Sequence, residues 1–347
     1  MSNIFQDIIK VFDGGTGSGN FGHAGRKGKV GGSQPDPDAV NKKNITKVSN
    51  DYKTYVDKEV LVNPDAHSLG KYLDDKGNLK PERKQLHKDI IQKQFEGVKK
   101  TDKPVIYFNG GGTASGKSSI GALLPDVPNE KNKQGVVVDP DTIKKLLPEY
   151  KEMVNEGNSN AAAYNHEESS MIAKQILRLA LNSNRYNTLV DGTLGGKLES
   201  TRNKIRAAKA TGNPVIGNFV TVDYDEALKR SYLRYLKTGR FPNIDDTLKI
   251  HRNVSNNFSK LFSEFDSGKL IDNNGKAPKV IAEFENGKLV VKDRKAYNNF
   301  INKKNLTDEE MAKIKNRFKK KIDEYNREWL AKPENKGKKL RKLPDLG

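Results

Sequence analysis

Short apolar runs alternate with helix-period patterns over the middle of the chain, and this alternation predicts an α/β fold. Four apolar runs are bounded by Pro, Gly or Asn, which is typical of buried strands. These runs are residues 104–109, 135–141, 187–193 and 214–223. Between them, apolar residues recur at helical spacing, as at Ile172, Ile176 and Leu179. Strands that alternate with helices predict a twisted, mostly parallel sheet with helices on both faces.

Helix and hairpin signals flank this alternating region. A helix is predicted over about 81–97, because apolar residues there share one helical face and a Gly marks the stop. A hairpin is predicted around Asn286-Gly287, a turn that is favoured between twisted strands. Thr307 and Glu310 form a capping-box pattern, which predicts that a last helix begins directly after Thr307.

Composition divides the chain into four predicted segments. Residues 1–38 are rich in Gly, Ser and Pro and have few apolar side chains, which predicts a flexible segment. Residues 39–103 are predicted as a helical lead-in, and residues 104–293 contain the alternating strands and helices of the main domain. Residues 294–347 are predicted to form a basic C-terminal helix and tail.

Cysteine content and charge narrow the class of protein. The 347 residues include no cysteine, which excludes disulfides and thiolate metal sites and favours a reducing compartment. We find neither a signal-peptide pattern nor an apolar run near the ~18 residues of a membrane span, so we expect a cytoplasmic protein without a membrane partner. The net charge of +19 can attract nucleic acid or keep a lysine-rich surface soluble. The basic runs near both ends lack interleaved aromatics, which favours solvated tails over a nucleic-acid site.

Residues 109–119, NGGGTASGKSS, complete the G-x-x-x-x-G-K-[ST] pattern of a phosphate-binding loop. An apolar strand enters the loop, and SSIGALL predicts a helix that leaves it, so backbone N–H groups would converge on phosphates at a helix N-terminus. Lys117 would add a positive charge, and the Ser118 hydroxyl would ligate Mg²⁺. The alternative is a Gly-rich turn that precedes Lys-Ser by chance. The residues predicted to bind a nucleoside triphosphate are Gly111, Gly112, Thr113, Ala114, Ser115, Gly116, Lys117, Ser118 and Ser119.

Two carboxylates, Asp139 and Asp141, follow the second apolar run. If the backbone stays extended there, both could reach the region of the γ-phosphate. One carboxylate could then accept the proton of an acceptor hydroxyl, which is the base role in a phosphotransferase, and Asp139 is a candidate ligand of Mg²⁺. The alternative is an Asx-turn helix cap in which Asp141 opens the following helix, and both interpretations can hold together.

Basic side chains recur at helical spacing after the fourth apolar run. Arg230, Arg234 and Lys237 are separated by four and three residues, and Arg240 follows just beyond. Guanidinium groups at these positions would stabilise charge on a transferred phosphoryl group and could belong to a lid that closes over ATP. The alternative is an ordinary solvated helix face.

Together, in their order along the chain, these motifs resemble the zeta-toxin family of P-loop kinases. GGGTASGKSS is similar to the family's Walker A loop. VVVDPDTIKKLLPEY resembles its second-strand segment, in which the second Asp of an Asp-x-Asp pair is the catalytic base, here Asp141. NTLVDGT resembles its substrate motif, which implies substrate contacts at Asp191 and Thr193. LRYLKTGRFP resembles the segment with two lid arginines, which implies those roles for Arg234 and Arg240.

The resemblance covers about residues 80–293 and implies a P-loop NTPase kinase fold with ATP and Mg²⁺ as cofactors. The characterised toxins of the family phosphorylate the sugar 3′-hydroxyl of UDP-N-acetylglucosamine, and a small helical antitoxin blocks their ATP site. We therefore expect a phosphotransferase with an alcohol acceptor on a nucleotide sugar and with an antitoxin as a partner. The catalytic residues implied are Lys117, Asp141, Arg234 and Arg240.

Two departures from the family pattern concern the acceptor. Gly195 stands where well-known toxins carry an Arg, and Gln175 stands where a Glu would touch the acceptor. One alternative is therefore a nucleotide or polynucleotide kinase with another acceptor. A second alternative is a nucleotide-binding phage structural or effector protein without catalysis, associated with the virion, because GNFGHAGRKGKVGGS resembles a Gly-rich segment of phage-associated proteins.

Overall fold

A computed structural model describes residues 63–74, 78–158, 160–239, 243–343 and 346. The predicted flexible segment 1–38, the first part of the predicted lead-in and Arg240 lie outside the described residues. The division of the chain into four segments therefore stays a prediction. Within the described ranges, no helix is both long enough and apolar enough to cross a membrane.

Seven strands of the described residues form the sheet. They are β1 (Ile106–Gly111), β2 (Val136–Val138), β3 (Thr188–Asp191), β4 (Val215–Thr221), β5 (Ser267–Asp272), β6 (Lys279–Glu285) and β7 (Lys288–Val291). Their order is β2-β3-β1-β4-β5-β6-β7. β2 pairs with β3 and β4 with β5 in parallel, whereas β6 and β7 continue the sheet in antiparallel orientation. The predicted mostly parallel sheet is confirmed, and so is the hairpin, whose turn residues Asn286 and Gly287 have φ of 49° and 74°.

The sheet is flanked by helices, as the sequence predicts. In the described residues these are α1 (Pro81–Phe95), α2 (Pro140–Lys144), α3 (Pro148–Asn155), α4 (Ala161–Tyr164), α5 (His166–Ser183), α6 (Leu198–Lys209), α7 (Tyr224–Thr238), α8 (Ile244–Leu261), α9 (Arg294–Asn302) and α10 (Asp308–Leu330). Three begin with Pro, whose missing N–H costs nothing in a first turn. The capping box of α10 is confirmed, because Thr307 Oγ1 accepts from Glu310 N–H and the Glu310 carboxylate accepts from Thr307 N–H.

The chain divides into two compact units. The first consists of the described parts of Met1–Ile106, Pro128–Val190 and Asn203–Pro214, and the second of those of Tyr107–Val127, Asp191–Arg202 and Val215–Gly347. In the first unit, α5 contacts α1, α2 and β2. Its inward residues Ile172 and Ile176 are fully buried, which confirms the helical periodicity read from the sequence.

A buried charge cluster joins the helices of the first unit. The Arg83 guanidinium donates to Glu168 Oε1 at 2.6 Å and to Glu149 at 2.8 and 2.9 Å. His87 Nε2 lies 2.7 Å from Glu168 Oε1, and the Tyr72 hydroxyl donates to Glu149 at 2.7 Å. Burial disfavours the charged form of Glu168, but hydrogen bonds from His87 and Arg83 outweigh burial and lower its pKa to about 2. Glu168 therefore stays ionised at neutral pH, and the cluster fixes α1 against α3 and α5.

Aromatic and aliphatic side chains form the core of the second unit. The rings of Phe219 and Phe258 meet edge to face, with centroids 5.0 Å apart, and Phe284 packs against both. On another face, α10 packs its buried stripe, which includes Phe318 and Trp329, against α7 and α8. These contacts hold β4, β5 and α8, the elements from which the phosphate loop takes its supports.

Candidate active site

The predicted phosphate-binding loop follows directly from β1. Two of its residues adopt left-handed backbone conformations, Ala114 with φ of 57° and Gly116 with φ of 82°. A left-handed Ala costs about 1–2 kcal/mol, so surrounding contacts must hold it in place. The glycines are needed because a β-carbon at Gly112 would overlap the ring of His251, and one at Gly116 would overlap Asn273 Nδ2.

Two buried polar side chains support the loop from outside. His251 Nε2 lies 2.8 Å from the carbonyl oxygen of Thr113. Asn273 Nδ2 donates to the carbonyl oxygen of Ser115 at 2.8 Å and to Ser119 Oγ at 3.2 Å. The sequence motifs assign neither His251 nor Asn273 a role. For His251 the sequence does contain a signal, because this polar residue lies on the apolar face of α8.

The predicted helix after the loop does not form, and that prediction is wrong. The chain instead makes two short 3₁₀ turns, Lys117–Ser119 and Gly121–Leu123. Gly121 is a poor helix former, and Pro125 lacks an N–H and disfavours a helical conformation at the residue before it. The phosphate site therefore depends on the N–H groups of the loop and on Lys117, without the dipole of a following α-helix.

The predicted substrate residues Asp191 and Thr193 belong to the second unit, as the phosphate loop does. The N–H of Gly192 donates to the carbonyl of Asn109 at 3.1 Å, and the N–H of Gly111 donates to the carbonyl of Thr193 at 2.9 Å. Asp191 ends β3, and both Asp191 and Thr193 are partly exposed. The structure thus brings Thr193 to Gly111, the first glycine of the Walker A pattern.

The two predicted carboxylates lie at the start of α2, in the first unit. Asp139 caps the helix, because Oδ1 accepts from Asp141 N–H at 2.9 Å and Oδ2 accepts from Thr142 N–H at 3.2 Å. The alternative in which Asp141 caps the helix is wrong, since Pro140 occupies the first helical position. The side chain of Asp141 is half exposed, and its Oδ1 accepts from the buried ammonium of Lys144 at 3.1 Å.

Among the predicted basic residues of α7, Arg230 lies beside the loop. Arg230 donates to the carbonyl of Asn273 at 2.9 Å and to Glu226 at 2.7 Å, and its Nη1 would lie 3.3 Å from a β-carbon at Gly116. Arg234 is partly buried one turn further along α7. Arg240 lies outside the described residues. Arg230, which the sequence analysis names only as one cation of a helical series, therefore borders the loop.

The donors present fit a triphosphate. Lys117 is partly buried in the loop, and Ser115 Oγ is buried without a hydrogen-bond partner among the described residues. The Ser118 side chain is exposed and free to ligate a cation. No group of three or more His, Asp or Glu side chains in the described ranges could hold a metal ion alone. Mg²⁺ at Ser118 would therefore take most of its other ligands from phosphate oxygens and water, as this ion commonly does.

The electrostatics around His251 keep its ring neutral. Burial, and then the nearby ammonium groups of Lys303 and Lys117, lower the pKa of His251 to about 3, against the opposing hydrogen bond to Thr113. Lys303 is itself buried and donates to Thr221 Oγ1 at 2.8 Å and to the carbonyl of Val222. Burial lowers its pKa to about 8, while Asp223 and Asp272 oppose the shift.

Comparison with known proteins gives a family match over the region that contains these residues. The family model described as zeta toxin matches residues 88–282, which is more than half of the chain. A comparison with curated proteins gives no match.

Solved structures of similar fold come from two systems. A crystal structure of AvrRxo1-ORF1:-ORF2 with ATP has a TM-score of 0.52 at 18% identity, covering 78% of this chain and 88% of that chain. A structure from the PezAT chromosomal toxin-antitoxin system of the human pathogen Streptococcus pneumoniae has a TM-score of 0.53 at 16% identity, covering 72% of this chain and 98% of that chain. At such identities the two neighbours show a common fold.

Proposed function

The chain belongs to the zeta-toxin family, and on that premise we propose that it is an ATP-dependent phosphotransferase. It transfers the γ-phosphoryl group of ATP to a hydroxyl of a nucleotide sugar such as UDP-N-acetylglucosamine. The observation that carries the proposal is the phosphate loop itself, with left-handed Ala114 and Gly116 and with Lys117 beside them. A strained loop whose glycines leave no room for side chains is the backbone cradle that a triphosphate requires.

ATP is the nucleotide we propose for this loop. A neighbour of the same fold, AvrRxo1-ORF1:-ORF2, was crystallised with ATP. In this chain the N–H groups of the loop and the Lys117 ammonium would bind the β- and γ-phosphates. Arg230 would add charge at Gly116. When bound at Ser118, Mg²⁺ would neutralise part of the charge on the phosphates.

Asp141 is the proposed general base. The oxygen of the acceptor hydroxyl attacks the γ-phosphorus, the bond from that phosphorus to the bridging oxygen of ADP breaks, and the hydroxyl proton goes to the Asp141 carboxylate. Lys144, whose Nζ lies 3.1 Å from Oδ1, would orient the carboxylate, and the side chain of Asp141 is half exposed. Arg234 and Arg240 would stabilise charge on the phosphoryl group during transfer.

Contacts to the acceptor are proposed for Asp191 and Thr193. The family's well-known toxins carry an Arg two residues after this Thr, but a β-carbon at Gly195 would lie 2.9 Å from both the carbonyl of Ile250 and Val254 Cγ2. An Arg at this position would have to displace α8. The chain therefore binds its acceptor without that guanidinium, which leaves room for a nucleotide sugar different from UDP-N-acetylglucosamine.

An antitoxin is the proposed protein partner. The neighbour from Streptococcus pneumoniae belongs to a toxin-antitoxin system, and AvrRxo1-ORF1 was crystallised with AvrRxo1-ORF2. By this analogy of fold, a small partner that covers the ATP site would keep the enzyme inactive. Nucleic acid is a weaker candidate, which only the basic runs near both ends of the chain support. Binding of nucleic acid to these runs would fall steeply with salt.

The function is tested by incubating the protein with ATP and Mg²⁺ and a panel of nucleotide sugars. Mass spectrometry should find one nucleotide sugar heavier by one phosphate, with ADP formed in equal amount. The Lys117→Ala protein, purified in parallel, serves as the control for contaminating kinases. ADP formation without any phosphorylated nucleotide sugar would contradict the proposed acceptor class.

A further inference from the structure

We infer that His251 and Asn273 are positioning residues that aim two backbone N–H groups of the loop at the phosphates of ATP. The inference rests on the proposed function of the loop as an ATP site. Both residues lie far along the chain from the loop. They therefore contribute to ATP binding in a way that the Walker A motif does not include.

The peptide group between Thr113 and Ala114 is held by His251. In a planar trans peptide the carbonyl of one residue and the N–H of the next point in opposite directions. The described residues contain no cis peptide bond. Because the Thr113 carbonyl points outward to His251 Nε2 at 2.8 Å, the N–H of Ala114 must point away from His251. An N–H group with this orientation is free of the His251 support, and we assign it to a phosphate of ATP.

The peptide group between Ser115 and Gly116 repeats the same arrangement. Its carbonyl accepts from Asn273 Nδ2 at 2.8 Å, so the N–H of Gly116 also points away from its support. The two supported carbonyls immediately precede the two left-handed residues, Ala114 and Gly116. Each hydrogen bond therefore fixes the orientation of one peptide plane, and the two N–H groups that point away from the supports are two residues apart.

His251 is suited to this task because it can only donate here. A carbonyl oxygen accepts, so the proton must be on Nε2, and the neutral ring has one N–H to give. The ring is 2% exposed and lies against the backbone of Gly112, where a β-carbon would overlap it. The ring of Tyr224 meets it edge to face at 6.0 Å. Packing on both sides therefore fixes the direction of the N–H.

A merely structural role for the two residues predicts a different behaviour. If His251 and Asn273 only filled space, their replacement would lower the stability of the whole unit and would affect ATP binding in proportion. Ser255 offers the comparison, because it lies on the same helix α8, is fully buried, and donates from Oγ to the carbonyl of Ile301 at 3.0 Å. It supports backbone away from the loop.

The test measures ATP affinity by calorimetry and apo stability by thermal unfolding in four full-length variants, His251→Leu, His251→Gln, Asn273→Ala and Ser255→Ala. We expect His251→Leu and Asn273→Ala to weaken ATP binding by about tenfold or more, the equivalent of one lost hydrogen bond to a charged group. We expect His251→Gln, which keeps a donor, to bind at least threefold more tightly than His251→Leu. Ser255→Ala should lose stability and keep wild-type affinity.

Amide hydrogen exchange gives a second readout that a merely structural role would not change. In the wild-type protein, ATP should protect the amides of Ala114 and Gly116. In His251→Leu the protection of Ala114 should disappear, and in Asn273→Ala that of Gly116, each independently of the other. Wild-type affinity in both donor-removing variants, or losses that follow stability alone, would overturn the inference. Wild-type protein that binds ATP as predicted but phosphorylates nothing would remove the proposed enzyme activity and leave the positioning role intact.

Discussion

The ring of His251 occupies the place where a side chain at Gly112 would begin. A β-carbon added at Gly112 would overlap three ring atoms of His251, and the same ring donates a hydrogen bond to the adjacent Thr113. The second glycine of the loop is thus required by a helix that comes about 140 residues later in the chain. The shape of the loop therefore depends on packing within the second unit as well as on the sequence of the loop.

This contact predicts that Gly112→Ala disturbs both stability and ATP binding. The methyl group would displace the His251 ring and its hydrogen bond, and overpacking of this kind costs about 1–3 kcal/mol. Urea unfolding and calorimetric titration with ATP measure the two effects. Gly121→Ala is the control, since a β-carbon there meets nothing within 4 Å. Equal stability and affinity in Gly112→Ala and wild-type protein would show that the His251 ring moves aside without cost, which would contradict the prediction.

The buried charge cluster predicts a large cost for Arg83→Ala. Its removal leaves Glu149 and Glu168 buried without their main cation, and a broken buried pair costs about 3–5 kcal/mol. The midpoint of chemical denaturation should therefore move to a much lower denaturant concentration. Arg202→Ala is the matched control, because the Arg202–Glu264 pair is roughly a quarter exposed and should contribute about 1 kcal/mol or less. Similar losses in the two variants would refute the importance of burial.

The lowered pKa of His251 predicts that acid destabilises the protein. The folded-state pKa is about 3 and the unfolded value is 6.5, so between these values the unfolded state binds a proton that the folded state does not. Stability is therefore full above the unfolded pKa and falls as the pH decreases. From about pH 7 to about pH 5 this group should account for a loss of about 2 kcal/mol, while Glu168 acts only below its own unfolded value of 4.5.

The measurement is the free energy of unfolding of wild-type protein and His251→Gln over this pH range. The variant lacks the titrating group and should show a shallower loss, with other histidines acting equally in both proteins. Parallel curves would mean that His251 is not held neutral. Lys303 and Lys117 are charged groups near the ring, and both contribute to the lowered pKa of His251.

Arg234 is predicted to act during transfer with little effect on stability. Loss of a guanidinium that stabilises transferred phosphoryl charge lowers kcat by roughly 10²–10³-fold. Lys237→Ala is the control, since Lys237 is exposed near the end of the same helix. Steady-state kinetics at saturating ATP compare the two. An Arg234→Ala protein with wild-type kcat would transfer the role to Arg230 or to Arg240.

The strands and the loop were predictable because local signals agree with the fold. β1 ends where the apolar run meets glycines, and the hairpin turn at Asn286-Gly287 follows from local backbone preference alone. The start of α2 shows where local signals fail. The sequence does not decide which Asp caps the helix, and the structure places Asp139 at the cap and Pro140 at the first helical position.

The supports of the loop could not be predicted by the same reasoning. His251 and Asn273 reach the loop through tertiary packing, and no local spacing links them to residues 112–119. The helix expected after Lys117 failed because Gly121 and Pro125 outweigh a motif that usually precedes a helix. Local patterns thus supply the candidate residues of the site, and tertiary packing determines the geometry of the loop.

The central claim is that ATP bound at the loop is attacked by a hydroxyl whose proton goes to Asp141. The most direct measurement is transfer of the ATP γ-phosphoryl group to nucleotide sugars, followed by mass spectrometry, in wild-type protein, Asp141→Asn and Lys117→Ala. We expect Asp141→Asn to bind ATP as wild-type protein does but to transfer the phosphoryl group about 10²–10⁴-fold more slowly. We expect Lys117→Ala to lose both binding and transfer. Wild-type transfer rates in Asp141→Asn would contradict the account.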